Sequence, residues 1–480
     1  MGLYHLQSLL KKQNNIRQSS PSTLNFVNSK YCSQHIHTMR YSHFWTVAAT
    51  TVAATATVTT ASAYVPSHYY HLRSSRLKRI QQSKPSITCC FSSSSDKDNN
   101  VDDFYGHSSP SNAATLPFAS TYHAPVMWKE CIQALLSCQR AQARKLQNNN
   151  NNDDSTPLFF VDGTLGGGGH SEALLEELRP GDVVFGCDVD PNALSEASKR
   201  LHKYMTPSPQ QPLFVPVQSN FGQLAKKLPT ITFPNSSDRI LPQDKHCVDG
   251  ILLDLGVSSH QIDTPERGFA FMKDGPLDMR MDSTDTSLTA ADLCNELEEN
   301  ELARIFKQYG DEPRARVIAK SVVKHRPLQT TGDLQEAVGA VVPAFHKSKR
   351  KGRTATLARV FQSLRIVVNQ EDRVLQQVLE EACPTLLREG GRLVVLSYHS
   401  MEDRATKRVM RDGTIAKQRG TPERDIYGDY IGPKKPFKPV GKFQKASEEE
   451  VELNSRARSA VLRMAERLEV SNEEPGDGEN

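Results

Sequence analysis

The sequence predicts an α/β protein whose sheet is doubly wound and mostly parallel, with a small all-helical domain inserted into it. Short apolar runs, several of them ending in an acidic residue, alternate with segments of helical periodicity. This alternation is typical of parallel strands joined by right-handed crossovers. From residue 286 to 354 the apolar spacing is helical and no strand-like run occurs, which indicates the insertion.

Five apolar runs are predicted to form the strands: 158–162, 183–188, 213–218, 248–254 and 391–397. Helical periodicity follows the first two runs, at 170–178 and 192–204. Three of the strands end in Asp162, Asp188 and Asp254. Ligands bind outside the carboxyl ends of the strands in such sheets. We therefore expect these three carboxylates to lie along one rim where the chemistry occurs.

The first 95 residues contain no Asp or Glu but ten Lys and Arg, together with many Ser and Thr. This composition is typical of an organelle transit peptide, although a disordered basic tail is an alternative. Ala61 and Ala63 fit a signal-peptidase site, and the segment after them is again basic and rich in hydroxyl groups. A signal peptide followed by a transit peptide resembles the bipartite presequences of plastids acquired by secondary endosymbiosis. The plastid stroma is therefore the expected compartment, and the mitochondrial matrix is the alternative. The true start of translation is Met1 or Met39.

The remaining domain boundaries follow from composition. We predict a presequence at 1–95, a linker at 96–115, and the first part of the sheet domain at 116–285. The helical insertion at 286–354, the second part of the sheet domain at 355–468 and an acidic tail at 469–480 complete the chain. Nine cysteines contain no C-x-x-C pair, so neither a zinc ribbon nor any other metal site is predicted.

A glycine-rich turn follows the first predicted strand, from Asp162 through Gly169. No register of its glycines gives the G-x-G-x-x-G spacing of a dinucleotide site, which argues against an NAD- or FAD-dependent dehydrogenase. Asp188, at the end of the second strand, is placed to accept hydrogen bonds from ribose hydroxyls. Asp190 is expected to cap the helix that Pro191 opens. A nucleoside cofactor without a pyrophosphate fits this pattern.

Longer motifs occur at 123–127, 162–170, 253–259, 267–269, 275–282, 309–312, 361–366, 397–404 and 455–463. With these motifs the chain, from about residue 122 to 465, resembles the family of ribosomal RNA small subunit methyltransferase H, also called MraW. The resemblance implies the class I methyltransferase fold, which is Rossmann-like, with S-adenosylmethionine as cofactor. It also implies N4-methylation of a cytidine in the decoding region of small-subunit ribosomal RNA.

The resemblance also implies the site residues. The cofactor-binding residues carried over from the family are Gly168, Gly169, His170, Asp188, Phe221, Asp254 and Gln261. Asp254 is the first candidate to accept a proton from N4, although it lacks the Pro-Pro-aromatic continuation of many amino-methyltransferases. His399 and Asp403, after the last predicted strand, are the other candidates.

The target base must leave its stack to reach such a pocket, so basic residues must hold the flanking RNA. The candidates are Arg314, Arg316, Lys320, Lys349, Arg350, Lys351 and Arg353. The expected partner is small-subunit ribosomal RNA, free or in the assembled subunit, with no membrane contact; the oligomeric state stays open. The alternatives are a methyltransferase that acts on another RNA, a protein or a small molecule, and a non-catalytic assembly factor.

Overall fold

The computed structural model describes residues 117–118, 125–147, 156–233, 236–282, 284, 287–344, 352–416 and 435–469. The predicted presequence, linker and targeting signals therefore lie outside the described residues. The same is true of the acidic tail beyond Glu469 and of three candidate RNA-binding residues, Lys349, Arg350 and Lys351.

The described strands form one sheet in the order β3-β2-β1-β4-β5-β8-β6, with β7 paired to β8. They are β1 (Phe159–Asp162), β2 (Val183–Asp188), β3 (Leu213–Gln218), β4 (Val248–Asp254), β5 (Leu387–Ser397), β6 (Phe437–Pro439), β7 (Gln444–Lys445) and β8 (Val461–Arg467). Strands β1 to β5 are parallel. Strand β8 runs antiparallel to β5, β6 and β7. The predicted doubly wound, mostly parallel fold is confirmed, and the antiparallel edge is an addition to it.

Helices cover both faces of the sheet because successive strand residues alternate between the faces. On one face, Val161 and Leu253 pack in an apolar core with helical residues such as Val409. On the other face, Phe160 and Leu252 belong to a second core with residues such as Ile132 and Leu174. The helices outside residues 286–368 are α1 (Trp128–Leu135), α2 (Gln139–Gln147), α3 (Gly169–Glu177), α4 (Pro191–Arg200), α5 (Leu224–Lys227), α6 (Ser259–Asp263), α12 (Glu371–Gln377), α13 (Cys383–Leu386), α14 (Ser400–Asp412) and α15 (Glu448–Leu453).

Helix α4 begins as the sequence predicts. The side chain of Asp190 accepts a hydrogen bond from the Asn192 backbone N–H at 3.0 Å, and Pro191 occupies the first helical position. Such a cap stabilises a helix by about 1 kcal/mol. The residues that follow the end of β2 are thereby held in place.

The segment between β4 and β5 is helical beyond the loop that follows β4. Four helices, α7 (Ala290–Glu296), α8 (Glu299–Gln308), α9 (Ala315–Lys324) and α10 (Thr331–Gly339), precede the long helix α11 (Arg353–Val368). Helix α11 packs against α7, α8 and α10, and a buried ion pair joins Arg359 to Glu312 at 2.6 Å. The chain therefore returns from this helical group to the sheet through α11. None of the helices in the described part of the chain is long and apolar enough to cross a membrane.

The loop after β4 is an ordered element that Arg267 ties to the sheet. Its guanidinium forms a buried ion pair with Asp190 at 2.7 Å and donates to the carbonyl oxygens of Arg280 and Met281 at 3.0 and 2.7 Å. The Met281 backbone N–H donates to the side chain of Asn369 at 2.7 Å. The loop is thus fixed between the end of β2 and the end of α11.

Replacement of Gly268 by alanine is expected to destabilise this loop strongly. Gly268 has φ +71°, and a Cβ atom there would lie 2.2 Å from the carbonyl oxygen of Pro276, so the backbone must shift. We expect a loss of about 3 kcal/mol in the free energy of unfolding, measured in urea. The control is Gly181→Ala, at φ +88° with nothing within 4 Å of the added atom, for which about 1 kcal/mol is expected. Equal losses in the two variants would contradict the packing described here.

Candidate active site

The three predicted carboxylates lie along the carboxyl ends of adjacent parallel strands, as expected. Register pairs Asp162 with Gly186 and Leu252, so Asp162 lies between the ends of β2 and β4. Asp162 is buried and accepts hydrogen bonds from the Ser171 hydroxyl at 2.8 Å and the Thr164 backbone N–H at 3.2 Å. It therefore holds the glycine-rich turn against the start of α3.

Asp188 ends β2 and faces the glycine-rich turn. Its carboxylate accepts hydrogen bonds from the backbone N–H groups of Gly166 at 2.8 Å and Asp190 at 2.9 Å. Each carboxylate oxygen keeps a lone pair for a further donor such as a ribose hydroxyl. Gly166 has φ +49°, and nothing lies within 4 Å of the position of a Cβ atom there. The backbone at Gly166 is therefore open to a ligand, a feature that the sequence analysis did not single out.

Asp254 ends β4 and is held by two hydrogen bonds, with His170 beside its free oxygen. The Tyr398 hydroxyl donates to Oδ1 at 2.7 Å, and the Asp254 backbone N–H donates to the Thr164 hydroxyl at 2.6 Å. Nδ1 of His170 lies 3.7 Å from Oδ2. Because Nε2 of His170 lies 2.9 Å from the Val126 carbonyl oxygen, which only accepts, Nε2 is the donor there. Oδ2 is thus the oxygen that remains able to receive a proton.

Burial raises the pKa of all three carboxyl groups at the strand ends. Desolvation raises the pKa of Asp188 to about 6, against the hydrogen bonds from Asp190 and Gly166. Desolvation also raises the pKa of Asp254 to about 6, although His170 and the Tyr398 hydroxyl lower it. Burial raises the pKa of Asp162 as well. Burial therefore disfavours the ionised carboxylates, and a positively charged ligand beside them would stabilise that form.

Activity is expected to fall as the pH drops below about 6, the raised pKa of Asp188 and Asp254. In their protonated forms, Asp254 no longer accepts a proton and Asp188 is no longer an anionic acceptor. We expect kcat/KM to fall by about tenfold per pH unit for one group and up to a hundredfold for both.

The same titration does not unfold the protein. The folded-state pKa values exceed the unfolded value of about 3.9, so the folded form binds more protons between about pH 4 and 6. These two groups therefore contribute stability as the pH falls through that window. Thermal melts at each pH separate the two effects, and a kcat/KM that stays flat down to pH 5 would contradict the assignment.

His399 lies next to Tyr398 but contacts a different group. Its Nε2 is 2.7 Å from Oε1 of the buried Glu402, at ion-pair distance without hydrogen-bond alignment. Successive residues of an extended chain point to opposite sides, so only one of Tyr398 and His399 reaches Asp254. The structure brings Tyr398 there, a role that was not predicted from the sequence. Asp403, the other candidate, pairs with Arg463 at 2.7 Å.

Three potential metal ligands come together around His399. Oxygen or nitrogen atoms of Glu371, His399 and Glu402 lie within 4.8 Å of one another. Arg365 donates to both carboxylate oxygens of Glu371, at 2.7 and 2.8 Å, and lowers the pKa of Glu402 together with His399. Since Arg365 already pairs with Glu371 and lowers the pKa of Glu402, we interpret the group as a polar cluster that anchors the start of α14 to α12.

The remaining residues that the family resemblance implies for cofactor binding are Phe221, Gln261, Gly168 and Gly169, and the structure places them differently. Phe221 follows β3, beside Asp188, whose backbone carbonyl accepts from Ser219 at 3.0 Å, so it lies next to the predicted ribose acceptor. Gln261 is buried, with its amide engaged by the Ser258 N–H at 3.0 Å and by Asp190 at 3.3 Å. Its side chain thus contacts Asp190, two residues after the predicted ribose acceptor Asp188. A Cβ atom added at Gly168 would lie 3.2 Å from the side chain of Ala197, and one added at Gly169 would lie 3.0 Å from the side chain of Pro125. The Cα atoms of both glycines therefore face protein.

Comparison with known proteins decides the family. A sequence profile of the MraW methylase family matches residues 120–468. The chain belongs to the MraW methylase family. A ribosomal RNA small subunit methyltransferase H from Chlorobium luteolum is 42% identical over 362 residues, covering 72% of this chain and 97% of the relative. One from Flavobacterium johnsoniae is 40% identical over 312 residues, covering 64% of this chain and 91% of the relative.

As a MraW methylase the chain is a methyltransferase with S-adenosylmethionine as its methyl donor. The residues present fit this cofactor. Asp188 keeps lone pairs that could accept from ribose hydroxyls, Gly166 leaves room beside them, and a sulfonium cation would stabilise the ionised form of the buried carboxylates. The class I methyltransferase fold is confirmed by the parallel sheet and its rim.

The basic candidates of the insertion are placed unequally. Arg316 and Lys320 are exposed on one side of α9, four residues apart, and Lys324 continues that stripe. Arg314 is half-buried at the start of α9. Arg353 donates to the carbonyl oxygens of Gly339 at 3.0 Å and Val342 at 3.2 Å, so its guanidinium closes the end of α10.

Proposed function

We propose that this chain methylates N4 of a cytidine in the decoding region of small-subunit ribosomal RNA inside an organelle. The observation that carries this proposal is the carboxylate of Asp254, fixed by Tyr398 on Oδ1 and left able to accept on Oδ2. It lies at the same rim as the cofactor residues of a MraW methylase whose relatives are named for small-subunit ribosomal RNA.

For this reaction the protein has two tasks: to align the substrate with the cofactor and to accept one proton. Bound S-adenosylmethionine supplies a methyl carbon attached to a positively charged sulfur. The lone pair of N4 is delocalised into the cytosine ring, so alignment with that carbon contributes much of the acceleration. Oδ2 of Asp254 accepts a hydrogen bond from the amino group and then takes the proton that nitrogen loses as it gains the methyl group.

The neighbours of Asp254 have positioning roles. Tyr398 holds Oδ1 at 2.7 Å, and burial together with Asp254 raises the pKa of the phenol well above its usual value, so it stays a donor. Thr164 fixes the backbone of Asp254 at 2.6 Å. The carboxylate is therefore oriented before the substrate arrives, which reduces reorganisation during the reaction.

The exposed cations of α9 favour RNA over a small molecule as the substrate. Arg316, Lys320 and Lys324 form an exposed stripe on the helical group inserted between β4 and β5. A small-molecule methyltransferase needs no such stripe, whereas phosphate contacts of this kind supply affinity for RNA.

The presequence supports the organellar part of the proposal, with the plastid stroma as the expected compartment. The test is to deplete the chain in its own cells and to measure N4-methylcytidine in plastid and mitochondrial small-subunit ribosomal RNA by mass spectrometry. We expect loss from a decoding-region fragment of the plastid RNA. Loss from the mitochondrial RNA alone would move the enzyme to that organelle, and no loss in either would refute the substrate.

A further inference from the structure

We propose that an aromatic and basic surface beside the active site binds the single-stranded ribosomal RNA next to the target base. This stacking surface consists of Phe443, Arg463, Arg404, Lys407, Lys442 and Lys445. The proposal rests on the proposed function and adds to it the chemistry by which the flanking RNA is held. It concerns the antiparallel edge of the sheet, which lies apart from the helical insertion.

Strand register places this surface on the rim of the active site. Asp254 pairs with Leu396, Leu396 with Leu462, and Leu462 with Gln444, so one line crosses four strands. Neighbouring strands lie about 4.8 Å apart, which puts Gln444 about 14 Å from Asp254. Phe443 directly precedes Gln444. The surface is thus within reach of nucleotides that flank a base inserted at Asp254.

Phe443 is built to present its ring. Phe443 is 52% exposed. The other large apolar residues that are exposed in the described part of the chain are not aromatic. The guanidinium of Arg463 lies 5.3 Å from the ring centre. Asp403 holds that guanidinium through hydrogen bonds of 2.7 and 3.2 Å. An exposed ring backed by a fixed cation is a platform on which a nucleobase stacks.

The surroundings of Phe443 complement a phosphate backbone. Arg404 and Lys407 are exposed on α14, three residues apart and therefore on one side of the helix. Lys442 and Lys445 flank Phe443 and are also exposed. These four cations suit the charge of single-stranded RNA.

The acidic residues of α15 lie on the other face of the sheet. Val451 of α15 packs with Met464 in the core that contains α1, whereas Ala465 packs with α14. Arg463 lies on the same side as Ala465, because alternate strand residues share a face. The carboxylates of α15 therefore do not cancel the positive charge around Phe443.

The test compares RNA affinity with methylation, using the full-length chain. The probes are a fluorescein-labelled single-stranded RNA with the plastid decoding-region sequence and an oligocytidine of equal length, read by fluorescence anisotropy. Phe443→Ala is expected to raise Kd for both by roughly five- to a hundredfold, whereas Phe443→Trp stays near wild type. The matched control, Leu453→Ala, removes an exposed apolar side chain from α15 and should change nothing.

Charge is tested separately. Arg404→Ala and Lys407→Ala should each reduce the slope of log Kd against log salt concentration by about 0.7. KM for isolated small subunits is measured for every variant, and we expect it to rise in parallel with Kd. Unchanged Kd and KM in Phe443→Ala, or no RNA affinity in the wild type, would overturn the stacking surface.

The remaining outcomes separate this proposal from the function itself. A raised KM for the subunit with an unchanged Kd for both RNAs would mean that Phe443 contacts a ribosomal protein, which also overturns the proposal. A wild type that transfers no methyl group to small subunits, but loses RNA affinity on Phe443→Ala, would refute the proposed function and leave the surface standing.

Discussion

Replacement of Asp254 by asparagine is expected to lower kcat by about 10²- to 10⁴-fold, the usual worth of a proton acceptor. Asparagine keeps the shape of the side chain and a carbonyl oxygen for the Tyr398 hydroxyl, which now lies 2.7 Å from Oδ1. It cannot take the N4 proton. The measurement is single-turnover methylation at saturating S-adenosylmethionine, where a change in cofactor affinity does not affect the measured rate.

A second variant distinguishes proton transfer from simple disruption. Tyr398→Phe removes a hydrogen bond that lowers the pKa of Asp254, so the acid limb of the pH profile should move to higher pH. Glu196→Gln, on the exposed side of α4, is the control for which no change is expected. A kcat in Asp254→Asn within threefold of wild type would remove Asp254 from the mechanism.

Replacement of Asp188 by alanine is expected to weaken S-adenosylmethionine binding by about 100-fold or more. Hydrogen bonds to a charged acceptor contribute about 1.5–3 kcal/mol each, and two ribose hydroxyls lose their partner together. The backbone N–H groups of Gly166 and Asp190, at 2.8 and 2.9 Å, lose theirs as well. Calorimetric titration with S-adenosylhomocysteine and with S-adenosylmethionine measures the effect.

The conservative variant Asp188→Asn separates charge from shape. It keeps one acceptor oxygen and should bind the cofactor with an affinity between those of the wild type and Asp188→Ala. Thermal melts of the free proteins show whether the turn at Gly166 is still formed. A Kd for Asp188→Ala within threefold of wild type would show that the ribose lies elsewhere.

Much of the sheet was predictable because its parallel strands are buried on both faces. Strands β2, β3 and β4 coincide with the predicted runs, and β1 differs by one residue. Strand β8 was missed because Arg463, Glu466 and Arg467 interrupt its apolar pattern. Strand β5 begins at Leu387, four residues early, across a glycine turn with φ +70° at Gly390.

The site was predictable where one residue follows directly from the end of a strand. Asp162, Asp188 and Asp254 needed only the rule that parallel strands share a rim. Tyr398 was not predictable, because the sequence cannot show which of two successive residues turns towards Asp254. The same limit applies to Arg267, whose partner Asp190 lies 77 residues away in sequence. Contacts of this kind depend on register and on the path of a loop.

The most direct test of the account is methyl transfer by the full-length chain in vitro. The protein is incubated with methyl-labelled S-adenosylmethionine and small ribosomal subunits from the plastid, and the RNA is digested to nucleosides for mass analysis. We predict label in N4-methylcytidine from the wild type, and an initial rate of labelling at least about 100-fold lower from Asp254→Asn and, at subsaturating S-adenosylmethionine, from Asp188→Ala. Label in another nucleoside, or equal label from wild type and Asp254→Asn, would contradict the account.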